Sequence, residues 1–224
     1  MRVFEKEELK IRIAKNVAAM IDADPQYYVI NLGVGIPALV ADYLTRDSVF
    51  VMAENGILGV GPVATGDQIH PDLANAARMP VLETKGCCFF NSAESFAMIR
   101  SGRVDATVIG AFEVDKDGNV ANWIIPGGKK IGVGGAMDLV CGARQVFIAM
   151  AHTNKGEKKL LNKCTLPITA RGKVDYVVTE YGVFAFSKKG VELIKIASGV
   201  SVEEIREITE FDFEAKAEID LMVE

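Results

Sequence analysis

The stretch VFVMAENGILGVGP, residues 49–62, places one acidic side chain, Glu54, between an apolar run and a series of glycines. A continuous apolar run such as residues 49–53 is typical of a strand in a parallel sheet that is covered on both faces. Ligands of open α/β sheets bind at the carboxyl ends of such strands, so the position of Glu54 favours a functional role. The glycines within residues 56–61 would let a ligand or another backbone come close. An ordinary solvated loop acid is the alternative that composition leaves open.

Composition sets the class of protein. The chain has 224 residues, of which 50% are hydrophobic and 25% are charged, and it carries a formal net charge of −5. These values are typical of one α/β domain, and we assign residues 1–224 to a single domain. The basic residues are scattered, which argues against a nucleic-acid partner. Charges interrupt the first 20 residues and no apolar run reaches the ~18 residues of a membrane span, so we predict a cytoplasmic protein without membrane contact.

The cysteines and histidines do not suggest a metal site. Four cysteines and two histidines are present, and the cysteines include one adjacent pair, Cys87 and Cys88, but no C-x-x-C spacing. His70 and His152 are far apart in the sequence. We therefore expect no metal and interpret the cysteines as small apolar side chains.

Strand and helix patterns alternate along the chain. Apolar residues at helical spacing predict an opening helix over residues 6–20. Further helices are predicted over 37–44, 92–101, 136–141 and 202–208, strands over 27–32, 49–53, 104–110, 145–151 and 176–179, and hairpin turns at 117–118 and 188–190. Ser201 with Glu204 forms a capping box, whereas the helix at 92–101 begins with Ser-x-x-Ser instead of a full one. The predicted fold is α/β, an open and mostly parallel sheet flanked by helices with antiparallel hairpin attachments.

Glycine-rich segments at 33–36, 56–61 and 127–135 are predicted to form loops that converge on one edge of the sheet. Such loops offer backbone N–H groups to phosphates or oxyanions. The GVG at 33–35 lacks the third glycine of a dinucleotide fingerprint and is a weak signal. The GVGG at 132–135 leads into a helix and is better placed as an oxyanion donor, with a tight turn of no chemical interest as the alternative.

Five motifs together carry a resemblance to a known family. They are NLGVGIP (31–37), AENGILGVGP (53–62), ESFAMIRSG (94–102), DGNVANWIIPG (117–127) and GVGGAMDLV (132–140). In this order and spacing they resemble the β subunit of family I coenzyme A transferases of the 3-oxoacid and butyrate–acetoacetate type, over about residues 8–200. The resemblance implies the CoA-transferase (NagB-like) fold.

The resemblance also implies a chemistry. The family's nucleophile is the glutamate of an S-E-N-G motif, which corresponds to Glu54, followed here by Asn55 and Gly56. In the family this carboxylate attacks an acyl-CoA, and the reaction passes through an acyl-glutamyl anhydride and a glutamyl-CoA thioester. The oxyanion donor corresponds to Gly135, beside Gly134 in the same turn. Coenzyme A is then a covalently bound substrate, and no separate cofactor is expected.

Further residues are assigned by the same resemblance. The segment Gly33, Val34, Gly35 and Ile36 is similar to the family's CoA-side loop, with Asn31 as its support, and Asn55, Asn75, Arg78, Lys129 and Gly134 are the other predicted contacts to substrate or CoA. Three positions depart from the family pattern. Ala53 replaces a serine, Arg78 follows Asn75-Ala76-Ala77 where a glycine or lysine motif is common, and Gly128 precedes Lys129. Arg78 is equally consistent with a plain surface arginine.

The resemblance finally implies partners and substrates. An α subunit would supply the other wall of the site, in an α2β2 heterotetramer. The expected substrates are a short-chain acyl-CoA (butyryl-, acetyl- or succinyl-CoA) and a 3-oxoacid such as acetoacetate. Three alternatives stay open: the β subunit of a 3-oxoadipate CoA-transferase, a sugar-phosphate isomerase-like protein with Glu54 as base, and a non-catalytic partner protein.

Overall fold

The computed structural model describes residues 3–128 and 132–224. The α-helices of this part are α1 (Lys6–Ala23), α2 (Ser92–Arg100), α3 (Ala136–Gly142) and α4 (Val202–Ile208), and 3₁₀ helices span Ile36–Tyr43 and Gly66–Gln68. The strands are β1 (Val29–Leu32), β2 (Phe50–Ala53), β3 (Ile57–Val63), β4 (Val81–Phe89), β5 (Ala106–Ile109), β6 (Glu113–Asp115), β7 (Val120–Ala121), β8 (Gln145–Ala149), β9 (Thr153–Asn154), β10 (Glu157–Lys158), β11 (Leu160–Leu161), β12 (Tyr176–Val178), β13 (Gly182–Ser187), β14 (Gly190–Ile196) and β15 (Glu214–Leu221).

One sheet organises the fold. Within the described residues its order is β15-β14-β13-β12-β8-β5-β1-β2-β3-β4. The five central strands, from β12 to β2, are mutually parallel. Antiparallel strands extend this centre on both sides, through β3 and β4 at one edge and through β13 and β14 at the other, where β15 adds a parallel edge strand. The predicted fold class, an open and mostly parallel sheet with antiparallel attachments, is confirmed.

Helices cover both faces of the central strands, as their apolar sequences require. Successive side chains of a strand point to opposite faces. Accordingly, Val51 packs against the main core, to which α1 and the 3₁₀ helix Ile36–Tyr43 contribute. Its neighbour Met52 lies in a smaller cluster with Ile99 of α2 and Leu139 of α3. The strand β2, which ends directly before Glu54, is therefore packed on both faces.

Local signals explain most of the helix boundaries. Pro37 stands in the first turn of Ile36–Tyr43, where its missing N–H costs nothing, although this predicted helix is of the 3₁₀ type. The capping box of α4 at Ser201 and Glu204 is confirmed. The prediction for α2 was wrong in one respect, because its box is complete: Asn91 is the N-cap and exchanges hydrogen bonds with Glu94. The hairpin turns at 117–118 and 188–190 are confirmed.

The predicted glycine loop at residues 56–61 is wrong. Gly56 lies in the turn, but residues 57–61 belong to β3, which pairs antiparallel with both β2 and β4. A Cβ at Gly59 would lie 3.0 Å from the Cα of Cys87, and one at Gly61 would lie 2.8 Å from the carbonyl oxygen of Leu82. Because neither glycine has a side chain, the neighbouring strand β4 can approach β3 closely at these points, where the pairing register shifts.

Candidate active site

Glu54 occupies the tight turn between β2 and β3, at the carboxyl end of the central parallel strands. The Gly56 N–H donates to the carbonyl of Ala53 at 3.0 Å, and the Gly56 carbonyl accepts from the N–H of Phe90 at 3.0 Å. Gly56 has φ of +119°, and a Cβ there would lie 2.0 Å from the carbonyl oxygen of Phe90. Only glycine fits this position, so the E-N-G sequence fixes the backbone that presents the half-buried Glu54 side chain.

Asn31 on β1 holds the Glu54 carboxylate from the neighbouring strand. This side chain is completely buried. Its Nδ2 donates to the Met52 carbonyl at 3.0 Å and to Glu54 Oε2 at 3.1 Å, while its Oδ1 accepts from the Thr107 hydroxyl at 3.2 Å. Both the nitrogen and the oxygen of the Asn31 amide are hydrogen-bonded, which fixes the orientation of the side chain. The sequence interpretation placed Asn31 as support for the loop 33–36 and missed this contact. A polar residue inside the buried strand VINL was the available signal.

Helix α2 holds the backbone of the same turn. The hydroxyl of Ser95, which is fully buried, donates to the carbonyl of Glu54 at 2.7 Å. Ser95 lies in the first turn of α2, whose start is fixed by the Asn91 cap. The sequence analysis did not assign Ser95, because a serine in the first helical turn usually faces solvent.

Gly135 lies directly against Glu54. A Cβ at Gly135 would lie 3.2 Å from Glu54 Cγ and 3.2 Å from Cζ of Phe96, so the absent side chain is what lets the Glu54 and Phe96 side chains approach the Gly135 backbone. Gly135 is the N-cap of α3. Within the described residues its backbone N–H has no hydrogen-bond acceptor. The turn 132–135 and Glu54 are thus brought together, as the sequence predicts.

An ion pair ties α2 to α3 beside this contact. Arg100 Nε donates to Asp138 Oδ1 at 2.7 Å, and the Arg100 guanidinium lies 5.8 Å from the ring centroid of Phe96. The hydrogen bond to Asp138 raises the pKa of Arg100 above its ordinary value, and the guanidinium stays charged. Because the Arg100 side chain is largely exposed and Asp138 is only partly buried, the pair contributes little to stability. Its effect is to fix the orientation of α3 relative to the Phe96 ring.

A cavity of about 180 Å³ opens beside Glu54. Gly33, Val34 and Asn75 line it together with Glu54, so three predicted contacts share one space with the predicted nucleophile. Gly35 and Ile36 come next in the chain, Gly35 as the N-cap of the 3₁₀ helix Ile36–Tyr43, and neither lines the cavity.

The other predicted contacts lie further out. The Asn55 amide donates to the Ala74 carbonyl at 2.8 Å and so ties the hairpin tip to the segment 74–80. Arg78 is exposed at φ of +64°, its N–H bonds to the Asn75 carbonyl, and it does not line the cavity. Gly134 directly precedes Gly135 at φ of +51°. Lys129 lies outside the described residues.

The remaining reactive side chains do not form a second site among the residues described. No group of three or more His, Cys, Asp or Glu residues within residues 3–128 and 132–224 has the geometry of a metal site. The four cysteines are unpaired.

No helix of the described residues is long and apolar enough to cross a membrane.

Comparisons with known proteins identify the family of this chain. The family model described as "Coenzyme A transferase" matches residues 15–207. The beta subunit of acetate CoA-transferase from Escherichia coli K12 is 44% identical over 216 residues, which cover 95% of this chain and 97% of that protein. The B-type subunit of succinyl-CoA:3-ketoacid coenzyme A transferase from Helicobacter pylori strain 26695 is 43% identical, over 84% of this chain and 91% of that one.

Solved structures support the fold. An acyl-CoA transferase apoenzyme from Escherichia coli O157:H7 superposes with a TM-score of 0.75 at 20% identity. All of this chain is covered, but it spans only 45% of that longer chain. Glutaconate coenzyme A-transferase from Acidaminococcus fermentans gives a TM-score of 0.67 at 20% identity, over 95% of this chain and 88% of that one.

The chain therefore belongs to the coenzyme A transferase family. Within the family it is a β subunit of the family I type, as both full-length relatives are. A β subunit implies an α subunit as its partner in the active enzyme.

Proposed function

We propose that this chain is the β subunit of a CoA-transferase that moves coenzyme A between a short-chain acyl-CoA and a 3-oxoacid such as acetoacetate, with Glu54 as the covalent nucleophile. The single observation that carries the proposal is the contact between Glu54 and Gly135 at the carboxyl edge of the parallel strands. It places the Glu54 side chain against a glycine whose backbone N–H has no acceptor among the described residues.

The geometry suits a carboxylate that must act as a nucleophile. Asn31 donates to Oε2 and Ser95 donates to the Glu54 carbonyl, so both the side chain and the backbone are fixed. Because the folded protein already holds the carboxylate in place, less entropy is lost when it attacks a bound acyl-CoA, and the activation barrier is lower. Only Oε2 has a hydrogen-bond partner among the described residues, which leaves Oε1 for attack.

The steps balance without an oxidant or an added nucleotide. A Glu54 oxygen adds to the thioester carbonyl, the C–S bond breaks, and an acyl-glutamyl anhydride and the CoA thiolate result. The thiolate then adds to the Glu54 carbonyl carbon and releases the donor carboxylate, which leaves a glutamyl-CoA thioester. The acceptor carboxylate takes CoA by the same steps in reverse. Each addition forms a tetrahedral oxyanion, for which the Gly135 N–H is the proposed donor.

Other site residues have supporting roles in this proposal. Gly33 and Val34 form the wall of the cavity on the side of β1, with Gly35 and Ile36 continuing the loop beside them. Asn55 ties the segment 74–80 to the hairpin, and Asn75 closes the turn inside that segment by accepting from the N–H groups of Ala77 and Met79. Arg78, Lys129 and Gly134 remain predicted contacts to CoA.

The assembly and the substrates are also proposals. We infer an α2β2 heterotetramer located in the cytoplasm, with butyryl-, acetyl- or succinyl-CoA as donors. The relatives' names mention acetate and succinyl-CoA:3-ketoacid transfer, which supports small carboxylic acids as the substrate class.

Mass spectrometry of the assembled enzyme tests the proposal. The β subunit, copurified with its α partner, is mixed with acetyl-CoA and its intact mass is measured. We expect an increase equal to one CoA less one water, mapped to Glu54, and its loss in Glu54→Gln. Because the side chain of Gln has nearly the same shape, the variant should assemble normally, and its turnover should fall by roughly 10⁴-fold or more.

Two outcomes would refute the proposal. One is an unmodified β subunit in an enzyme that transfers CoA at full rate. The other is an adduct that persists in the Glu54→Gln protein, since the nucleophile would then be elsewhere.

A further inference from the structure

Helix α3 begins differently from the two helices that have capping boxes. In α2 the N-cap N–H of Asn91 donates to Glu94 at 3.1 Å, and in α4 the N-cap N–H of Ser201 donates to Glu204 at 2.8 Å. Each glutamate stands three residues after its N-cap, so its side chain reaches back to that N–H. In both helices the N-cap N–H is therefore occupied by the helix's own acid.

Helix α3 has the same spacing of residues, but its box is not closed. The N-cap is Gly135, and Asp138 stands three residues later in the first helical turn. An acid at this position is able to accept from the N-cap N–H. Within the described residues Asp138 makes no such bond, and its Oδ1 accepts from Arg100 Nε at 2.7 Å instead. The acid that would close the box is bound to a neighbouring helix.

The backbone of Gly135 agrees with an open box. The N-caps Asn91 and Ser201 are extended, with ψ of 163° and 160°, whereas Gly135 has φ of −85° and ψ of 0°. An N–H at such helical dihedrals, at the start of a helix, has no carbonyl of an earlier turn to bind and is available to a group outside the helix. Because glycine changes its dihedral angles at little cost, a competing acceptor would turn Gly135 to the extended form.

The position of Arg100 is tied to the side chain that touches Gly135. Arg100 lies one helical turn after Phe96 on α2, and its guanidinium lies 5.8 Å from the centroid of the Phe96 ring. Cζ of the same ring would lie 3.2 Å from a Cβ at Gly135. The cation therefore stands beside the start of α3, where it meets Asp138.

We propose that Arg100 is a positioning residue of the oxyanion site: by binding the carboxylate of Asp138, it keeps this acid off the Gly135 N–H and leaves that N–H for the tetrahedral oxyanion. The inference rests on the proposed function, in which Gly135 is the oxyanion donor. Without Arg100, Asp138 closes the capping box, and an oxyanion that approaches Gly135 meets an occupied donor and an unpaired negative charge. Arg100 acts through Asp138 and touches no reacting atom.

Steady-state kinetics of the assembled αβ enzyme, with acetyl-CoA as donor and acetoacetate as acceptor, tests this role. We expect Arg100→Met to lower kcat by about tenfold or more with little change in KM, because the oxyanion forms only after the acyl-CoA is bound. Arg100→Lys keeps a cation at this place and should retain most of kcat. Arg103→Met is the matched control, because Arg103 is also exposed but has no ion pair among the described residues. Its kcat should equal that of wild type.

The double variant Arg100→Met/Asp138→Ala separates positioning from simple stabilisation. If Asp138 blocks the donor once Arg100 is absent, removing Asp138 as well should raise kcat at least about fivefold above that of Arg100→Met. An ion pair that only holds α2 and α3 together predicts no recovery, because the pair is already broken in the single variant. Salt gives a second readout, since screening of this exposed pair should lower the kcat of wild type more than that of Asp138→Ala.

The outcomes separate this inference from the proposed function. Equal kcat values in wild type and Arg100→Met, or a double variant no faster than Arg100→Met, overturn the role of Arg100 while the CoA adduct on Glu54 still forms. A wild-type enzyme that forms no such adduct contradicts the proposed function instead. If Arg100→Met does not assemble, the salt comparison decides, and an equal dependence on salt in wild type and Asp138→Ala overturns the inference.

Discussion

Glu54 and His152 both follow the carboxyl end of a central parallel strand, Glu54 after β2 and His152 after β8, yet they lie in opposite surroundings. His152 is completely buried, and its ring nitrogens lie 3.0 Å from the hydroxyls of Thr179 and Thr209. Glu54 is half-buried, has one carboxylate oxygen bound, and borders a cavity. Strand-end position alone therefore does not make a site.

The difference comes from what covers each strand end. Over β8, the rings of Tyr181 and Phe184 pack on the imidazole, and Thr209, the C-cap of α4, closes the far side. Over β2, the chain offers Gly135 and the short turn before α3. Large side chains at the first place exclude any ligand, whereas missing side chains at the second leave room for one.

The two strand ends also differ in their electrostatics. Burial, reinforced by Lys159 and Lys158, lowers the pKa of His152 to about 3. A histidine held neutral in this way stabilises the fold but cannot exchange protons near neutral pH. Buried polar contacts thus serve different purposes in the two regions: they stabilise the fold at His152 and orient the carboxylate of the proposed nucleophile at Glu54.

The largest expected effect concerns the pH dependence of stability at His152. The unfolded chain binds a proton near pH 6.5, while the folded chain does so only near pH 3. The contribution of His152 is therefore complete above pH 6.5 and is lost as the pH falls, by about 1.4 kcal/mol per unit or about 3 kcal/mol down to pH 4. In His152→Gln, the fall in unfolding free energy between pH 8 and pH 4 should be smaller by this amount, as measured by urea denaturation.

The exposed His70 is the control for that measurement. His70→Gln should leave the pH dependence as in wild type. The buried carboxyl of Glu180, whose pKa burial raises, has the opposite sign but is present in every variant and cancels in the comparison. If the unfolding free energy depends on pH equally in wild type and in His152→Gln, burial does not hold His152 neutral, and the proposed electrostatic difference between the two strand ends is wrong.

Gly135→Ala should have the next largest effect, on catalysis alone. The added methyl would lie 3.2 Å from Glu54 Cγ, so the Glu54 side chain and the Gly135 backbone must separate by a few tenths of an ångström. We expect kcat to fall about 100-fold, as when an oxyanion donor is removed, with unchanged assembly. Steady-state kinetics of the αβ enzyme measures this.

Gly110→Ala is the matched glycine substitution. There the new Cβ would meet only the Ala149 carbonyl at 3.9 Å, an ordinary contact. Similar kcat values for the two variants would mean that the close approach of Gly135 to Glu54 has no catalytic role.

Asn31→Ala should have a smaller and mixed effect. Glu54 Oε2 loses its donor, and the Met52 carbonyl and Thr107 hydroxyl lose their partner. We expect kcat to fall about 30-fold and the unfolding free energy to fall by about 1–3 kcal/mol. Thr107→Val, which removes only the bond to Asn31 Oδ1, should share the loss of stability but retain most of kcat. If Asn31→Ala loses stability but keeps the wild-type kcat, Asn31 stabilises the fold and its hydrogen bond to Glu54 has no role in catalysis.

Much of the fold could be predicted because its signals are local. The apolar run at 49–53, the spacing of α1, the hairpin glycine at 118 and the box at Ser201 each act within a few residues. The strand β3 was missed because Gly59 and Gly61 normally break strands, and only the close approach of β4 explains their presence.

For the candidate site too, local motifs could be recognised from the sequence, whereas contacts between distant segments could not. Residues within one motif, such as Glu54 and Gly56 or Gly134 and Gly135, were found from sequence similarity. Asn31 and Ser95 were not assigned to Glu54, because they lie 23 and 41 residues from it and contact it only after β1 and α2 have packed around β2.

The sequence alone determined the family and the parallel centre of the sheet and indicated Glu54 as the proposed nucleophile, since these depend on residue identity and on periodicity along the chain. The tertiary structure alone decided which strand end is open, which side chains hold the carboxylate, and that the space beside it is apolar and without a cation in the described residues. Those properties arise between segments distant in sequence, where packing sets the distances.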